Sequence, residues 1–157
     1  MARSSIKVEG LADLDRALGE LPKATALNVL RRVGVAALEP MRAEAARLAP
    51  DDPATSATDL KDNIVVTSRR PRGRGRKESS VEVFMGPDAS VPFVARKGVQ
   101  QEFGNVNHGP QPFMRPSYEA EKRPTVTRVA ESLGEEIEKA RVRAAKRQAR
   151  LIKKVGG

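Results

Sequence analysis

The sequence predicts an α+β fold in which N-terminal helices, including a long Pro-kinked helix, and a C-terminal helix pack on a small, mostly antiparallel sheet. Leucine and alanine recur at helical spacing over the first 50 residues. Two runs of β-branched residues flank a basic segment, which favours a hairpin. The pattern after Pro116 is helical nearly to the end. The length of 157 residues favours a single domain, placed at 1–138, with a basic helical extension at 139–157.

The N-terminal part predicts a strand and two helices. Ile6 and Val8 alternate with polar residues, which is typical of a strand. A longer helix is expected between Pro22 and Pro50, and Pro40 inside it is expected to cause a kink because it removes one backbone hydrogen bond. Before it, a short amphipathic helix is predicted by leucines at helical spacing: Leu11, Leu14, Leu18 and Leu21.

The middle of the chain predicts the sheet. Residues 64–66 and 81–85 are rich in valine and isoleucine, and a basic segment joins them, so an antiparallel hairpin is expected. A short helical turn is expected just before residue 64. A third β segment is predicted near residues 91–94.

Positive charge is concentrated in the second half of the chain. The net charge is +9, but residues 1–68 carry nine basic against ten acidic residues, whereas residues 69–157 carry 20 against ten. Two blocks account for the excess, and both predict an acidic or polyanionic partner. The first, the basic loop, comprises Arg69, Arg70, Arg72, Arg74, Arg76 and Lys77. The second is the tail from Lys139 onward, which holds eight basic residues and no acidic one. Six of these are named the basic helix face: Lys139, Arg143, Lys146, Arg147, Arg150 and Lys154.

The basic helix face is one side of an amphipathic helix. At 100° per residue, seven of the eight basic residues from Lys139 onward fall within an arc of roughly 120°. The opposite side is a thin, alanine-rich stripe. Such a stripe packs weakly alone, so we expect this helix to lie on a partner or to extend from the body of the protein.

The sequence predicts neither an enzyme nor a cofactor site. There is no cysteine, and His108 is the single histidine, so a His- or Cys-based metal site lacks ligands. No serine-hydrolase, phosphate-loop or zinc-protease motif is present. The longest apolar run, residues 35–38, is far below the roughly 20 residues of a membrane span. The N-terminus has no secretory apolar segment, so a soluble intracellular protein without a membrane partner is expected.

All five aromatic residues fall between positions 84 and 118. Aromatic side chains bury large apolar surfaces and dominate the energetics of protein cores and interfaces. This part of the chain is therefore predicted to be the packing centre, either of the core or of a contact between subunits. The residues are Phe84, Phe93, Phe103, Phe113 and Tyr118.

Three stretches, in this order, are similar to the tail-component family of long-tailed phages, the neck or tail-completion proteins of the gene-product-ten type. They are "IKVEGLADLDRALGELP", "VLRRVGVAALEPMRAEAARLAP" and "VQQEFGNVNHGPQPFMRPSYEA". The third carries the strongest likeness. Asn105 stands where the family usually has threonine, and "ATDLKDNI" lacks the usual Gly-Arg. The motif residues are Glu102, Phe103, Gly104, Pro112, Phe113, Arg115 and Pro116.

The resemblance implies a structural virion protein that forms a ring in the neck or tail, completing the tail or joining head to tail. A hexamer is expected, with a dodecamer as the alternative. Expected partners are adjacent head-completion and tail-terminator or tail-tube proteins, with DNA passing through the lumen. The implied location is the virion, and the host cytoplasm during assembly. The basic blocks are outside the family pattern, so a small basic nucleic-acid-binding protein stays open as the alternative.

The residues of the motif also have a physical interpretation. Gly104 is expected to supply a backbone conformation that other residues avoid. Phe113 is expected to be a buried anchor between two prolines. Arg115 is suited to pair with a carboxylate such as Glu102, and Pro116 is expected to begin the last helix. The stretch is thus predicted to orient that helix relative to the sheet.

Overall fold

The structure, a computed structural model, describes residues 11–50, 59–69 and 80–155. The predicted strand at Ile6 and Val8 lies outside these residues, as does all of the basic loop after Arg69. The described elements are, in order, α1 (Leu11–Gly19), α2 (Lys23–Leu48), a 3-10 turn (Lys61–Asn63), β1 (Ile64–Arg69), β2 (Glu82–Pro87), α3 (Pro92–Phe103) and α4 (Met114–Val155). Four helices and a two-stranded antiparallel sheet in this part of the chain confirm the predicted α+β class.

Helix α2 is the central element, because it contacts α1, α4 and both strands. In this helix of 26 residues, every fourth residue from Val29 to Ala45 is buried. The helix continues past Pro40, which lies on its exposed side. It ends at Leu48 because Ala49 is extended, as the residue before a proline prefers to be. The buried stripe consists of Val29, Val33, Ala37, Met41 and Ala45.

Two hydrophobic clusters lie at opposite ends of α2. The helical cluster joins α1, the first half of α2 and the middle of α4. The mixed cluster joins the end of α2, the sheet, α3 and the start of α4. Buried residues of the helical cluster are Leu21, Val29, Val33, Leu133, Ile137 and Ala140. Those of the mixed cluster are Ala45, Ala49, Leu60, Ile64, Val94 and Phe113.

The two strands form the predicted antiparallel hairpin, with Ile64 opposite Pro87 and Arg69 opposite Glu82. The sheet lies close to α2 at Gly34. A Cβ atom on that glycine would be 2.7 Å from Cγ2 of Val83, closer than real side chains approach each other. The glycine therefore permits the helix and the sheet to pack at this distance.

The prediction of a third β segment near residues 91–94 is wrong, because these residues begin α3. Pro92 occupies the first helical turn, where its fixed φ suits a helix and its missing N–H costs nothing. The buried residues recur at intervals of four: Val94, Gly98 and Glu102. Gly98, inside the helix, weakens the helical pattern in the sequence. Its small size is explained by the structure, because a Cβ atom at this position would lie 2.4 Å from Cγ of Pro87.

Helix α4 has 42 residues and continues through Pro124. It begins at Met114, two residues before the predicted start at Pro116. Its buried hydrophobic residues in the long middle part are Leu133, Ile137 and Ala140. After Ala140 every described side chain is exposed. None of the helices in the described ranges is long and apolar enough to span a bilayer.

Candidate functional site

The carboxylate of Glu102, at the end of α3, binds the N-terminus of α4. Its Oε2 accepts hydrogen bonds from the backbone N–H groups of Phe113 and Met114, both at 2.9 Å. Its Oε1 accepts one from the N–H of Arg115 at 3.1 Å. The side chain is buried, with 6% of its surface exposed. We call this contact between α3 and α4 the joint.

The joint provides hydrogen-bond acceptors for the backbone N–H groups at the start of α4. The first N–H groups of a helix have no partner inside the helix. Met114 and Arg115 donate to Glu102, Pro116 has no N–H, and the N–H of Ser117 donates to the carbonyl of Phe113 at 3.3 Å. The first turn of α4 has no acidic residue of its own. Glu102 therefore supplies, from another helix, the negative charge that a helix N-terminus favours.

Phe113 is the largest fully buried side chain of the described residues, with no exposed surface. It belongs to the mixed cluster, beside Val94 and Leu60. Ser117, one turn later, is also fully buried, and its hydroxyl donates to the carbonyl of Met114 at 2.8 Å. The expectation that Phe113 is a buried anchor is confirmed.

Gly104 ends α3 in a conformation that other residues avoid, with φ 78° and ψ 174°. Its N–H donates to the carbonyl of Gln100 at 2.8 Å, which closes the helix. A Cβ at this position would lie 2.9 Å from the backbone nitrogen of Pro110. The glycine thus lets the connecting loop fold back, and the N–H of Gln111 reaches the carbonyl of Gln101 at 2.7 Å.

His108 is engaged within this loop. Its Nε2 lies 3.0 Å from the Asn105 amide nitrogen, and its Nδ1 lies 2.9 Å from the carbonyl oxygen of Gly109. Both contacts are hydrogen bonds when Nδ1 carries the proton. Asn105 Oδ1 also accepts the backbone N–H groups of Asn107 and His108. Asn105 thus organises the turn.

The arginine of the motif has two contacts. The Nε of Arg115 lies 3.5 Å from Oε1 of Glu102, which is the expected pair. Its guanidinium also lies over the ring of Phe103, 4.9 Å from the centroid. Pro112 and Pro116 are both exposed, so they shape the backbone rather than fill the core. All seven motif residues lie at the joint or in the loop that leads to it.

Residues 84–118 were predicted to be the packing centre either of the core or of a contact between subunits. The core alternative holds for only one of the five aromatics, and the subunit alternative stays a prediction. Only Phe113 is buried. Exposed fractions of the other rings are 40% for Phe84, 58% for Phe93, 63% for Phe103 and 55% for Tyr118. Leucine, valine and alanine make up most of the buried hydrophobic residues instead.

Three of the exposed rings have cations beside them. Arg69 lies 4.0 Å from the centroid of Phe84, and Lys122 lies 5.7 Å from that of Tyr118. Each of these cations also has a carboxylate partner: Arg69 lies 3.4 Å from Glu82, Arg115 contacts Glu102, and Lys122 pairs with Glu119. The charge of each of these three cations is therefore balanced by a carboxylate.

The basic helix face differs, because most of its charges are unpaired in the described part of the chain. Lys139 is the exception: hydrogen bonds from its ammonium to Glu135 and Glu136, both at 3.3 Å, raise the pKa of Lys139 above its ordinary value. No carboxylate among the described residues lies within ion-pair distance of Arg143, Lys146, Arg147 or Arg150. The side chain of Lys154 lies outside the described residues.

The pair of Glu102 with Arg115 was predicted from the sequence, but the three backbone partners of Glu102 were not. The sequence did carry a signal for them. The first turn of α4 has no acidic residue, so an acid from another element is favoured there.

Within the described ranges, no group of three or more His, Asp or Glu side chains is arranged to hold a metal ion. Comparison of the chain with protein-family models, curated proteins and solved structures finds no match.

Proposed function

We propose that the protein is a structural component of a long-tailed phage virion, forming a ring that completes the tail or joins head to tail. One observation carries the proposal. The residues on which the family resemblance rests form a single connected unit, the joint, in which Glu102 holds the start of α4 and Phe113 anchors it in the mixed cluster. These residues therefore act together in one structural element, which supports a structural role for the motif.

The joint sets the direction of a helix of 42 residues whose last part leaves the body of the protein. A ring subunit needs such a feature, because heterologous contacts between neighbours require fixed geometry between two different patches. The exposed rings of Phe93, Phe103 and Tyr118 supply the residue types that are enriched at protein interfaces. We infer a closed ring of six subunits, with twelve as the alternative, in contact with head-completion and tail-terminator or tail-tube proteins.

The alternative, a small nucleic-acid-binding protein, has a weaker basis. Binding of single strands combines exposed rings with unpaired cations. Among the described residues, the cations beside Phe84, Phe103 and Tyr118 have carboxylate partners, and none of the unpaired cations of the basic helix face lies over an aromatic ring. Contact with duplex phosphates is the form of this alternative that the charges permit.

The test is deletion of the gene in the phage, followed by electron microscopy of the lysate and mass spectrometry of purified virions. We expect full heads and separate tails without the protein, and the chain among the proteins of wild-type virions. Rescue from a plasmid is the control for effects on neighbouring genes. Infectious, joined particles in the deletion strain, or absence of the chain from wild-type virions, would refute the proposal.

The basic loop gives a second, more specific test. Replacement of Arg70, Arg72, Arg74 and Arg76 by serine is expected to leave heads and tails intact but unjoined, most severely at high salt. The reason is that arginines form paired hydrogen bonds with carboxylates of an adjacent ring. Normal joining with altered DNA retention or ejection would instead indicate that the loop contacts DNA.

A further inference from the structure

A groove of about 450 Å³ lies where α4 leaves the body of the protein, between its residues 140–147 and the start of α2. Its floor is apolar and consists of Leu21, Val29 and Ala140, all buried members of the helical cluster. Its volume is in the range of roughly 300–1,000 Å³ that is typical of ligand sites. The groove can therefore accept one or a few side chains.

The rim of this groove is basic. Three arginines line it, Arg32, Arg143 and Arg147, and no acidic residue does. Arg32 is paired, with its guanidinium 2.5 Å from Glu136. Arg143 and Arg147 have no carboxylate partner among the described residues, and both are exposed. They are one helical turn apart, so both guanidinium groups face the same groove.

We propose that this groove docks an acidic segment of a partner protein, one that places an apolar side chain on the floor and two carboxylates against Arg143 and Arg147. Charge complementarity selects the carboxylates, because planar guanidinium groups bind them with paired hydrogen bonds. The apolar floor of the groove favours a peptide over a DNA duplex, because the backbone of a duplex offers sugars and phosphates but no apolar side chain to fill the groove. The first turn of α2, which has no acidic residue and no side-chain cap, adds partial positive charge at the same place.

The described part of a second copy of this chain fits the groove less well. Most carboxylates in the described ranges already have a cation within ion-pair distance. The exceptions are isolated on separate elements, so no described segment offers two free carboxylates together. They are Asp15, Asp62, Asp88 and Glu131.

The proposal deepens the proposed function, because the segment would belong to an adjacent virion protein. It can nevertheless be tested on the purified chain alone, so either proposal can fail while the other stands. The probe is a fluorescent amphipathic peptide of about 14 residues, with leucines at helical spacing and glutamates beside them, because two helical turns present a complete set of anchors. Two matched peptides replace its glutamates by glutamine or its leucines by serine.

Binding is measured by fluorescence anisotropy for the wild-type chain and two double variants. The test variant carries Arg143→Ser and Arg147→Ser, which removes both unpaired guanidinium groups from the rim of the groove. The control carries Lys146→Ser and Arg150→Ser, which removes the same charge from the same helix but outside the groove. Circular dichroism and urea unfolding check that both variants fold.

We expect the Glu/Leu peptide to bind the wild-type chain, and both matched peptides to bind more weakly. The test variant should lose about tenfold or more in affinity, as when one partner of a desolvated charge pair is removed. The control should lose less than about threefold, since exposed charges act only through a screened field. This pattern supports the groove as the docking site.

Three results would overturn the proposal. Equal losses in both variants indicate diffuse attraction by the whole basic helix. Displacement of the peptide by a DNA duplex at physiological salt, with the same two arginines required for duplex binding, indicates a nucleic-acid site. Sedimentation velocity that finds oligomers of the wild-type chain, lost in the test variant alone, assigns the groove to a second copy of the chain.

Discussion

The two ends of α4 differ in almost every physical respect. At the N-terminal end, Phe113 is fully buried and Glu102 accepts three backbone hydrogen bonds at 2.9–3.1 Å. At the C-terminal end, every described side chain after Ala140 is exposed, and Arg143 and Arg147 have no carboxylate partner in the described part of the chain. The buried polar group at the first end is hydrogen-bonded inside the protein, whereas these two arginines at the second end are not paired within the described residues.

This difference indicates that one end of α4 contributes to the stability of the fold and the other to binding of partners. Groups that are buried and hydrogen-bonded contribute to the folded state, and removing one partner leaves the other unsatisfied. Exposed, unpaired charges of one sign contribute little to folding and repel one another, but they raise the local potential that attracts an acidic surface. The joint is thus expected to control folding and helix direction, whereas the basic helix face is expected to control encounters.

Replacement of Phe113 by alanine should have the largest effect. The ring is fully buried in the mixed cluster, so its loss removes apolar burial and leaves a cavity, which costs about 3–5 kcal/mol of unfolding free energy. Urea unfolding monitored by circular dichroism measures the change. Phe103→Ala is the matched control, because that ring is 63% exposed. Equal losses in the two variants would show that Phe113 is not the anchor.

Glu102→Gln should have the next largest effect, a loss of about 3 kcal/mol, because hydrogen bonds to a charged acceptor are worth more than neutral ones. The variant keeps the size of the side chain but removes its charge and places an amide N–H₂ against backbone donors. Glu135→Gln is the control, since that carboxylate is 70% exposed. If Glu102→Gln is as stable as the wild-type protein, the carboxylate does not hold the start of α4.

Sequence patterns predicted the elements whose signal is periodic and local. Helix α2 was predicted because leucine and alanine recur at helical spacing, and the hairpin because two runs rich in valine and isoleucine flank a basic segment. The start of α3 was misassigned, since four residues of the type Val-Pro-Phe-Val do not distinguish a strand from a helical first turn. Gly98 further weakened the helical pattern, although close contact with Pro87 explains it.

The candidate site was predicted in composition but not in geometry. The motif residues were identified through a family resemblance, and the pair between Arg115 and Glu102 followed from their chemistry. The backbone bonds of Glu102 depend on how the loop at 104–112 folds back, which no local spacing encodes. The groove joins residues near position 21 to residues near position 147, so only tertiary packing brings it together.

Gly104→Ala tests whether the loop at the joint needs its special backbone. A φ of 78° with ψ 174° is nearly restricted to glycine, so the strain should cost about 1–3 kcal/mol. The added Cβ would also approach Pro110, 2.9 Å away. Gly109→Ala, in the same loop, is the control because no atom lies within 4 Å of its added Cβ. Urea unfolding of the two variants in parallel decides the question, and an equally small loss in both would contradict the expectation.

The smallest effect is expected at the other end of α4, from Lys146→Gln. Lys146 is exposed and has like charges three and four residues away, at Arg143 and Arg150. Neighbouring like charges on a helix destabilise it by about 0.2–0.5 kcal/mol per pair. Removal of the charge should therefore leave the unfolding free energy within about 0.5 kcal/mol of the wild-type value.

The effect of removing the Lys146 charge is measured more directly by the local stability of this end of α4, because an exposed helix end opens without unfolding the rest of the protein. Amide hydrogen exchange over residues 141–150 should be slightly slower in the Lys146→Gln variant at low salt. The difference should disappear near 1 M salt, where the screening length falls to about 3 Å. A loss of more than about 1 kcal/mol of global stability exceeds what an exposed charge contributes. Such a loss would mean that the C-terminal end of α4 packs on the body of the protein, and the contrast between the two ends would not hold.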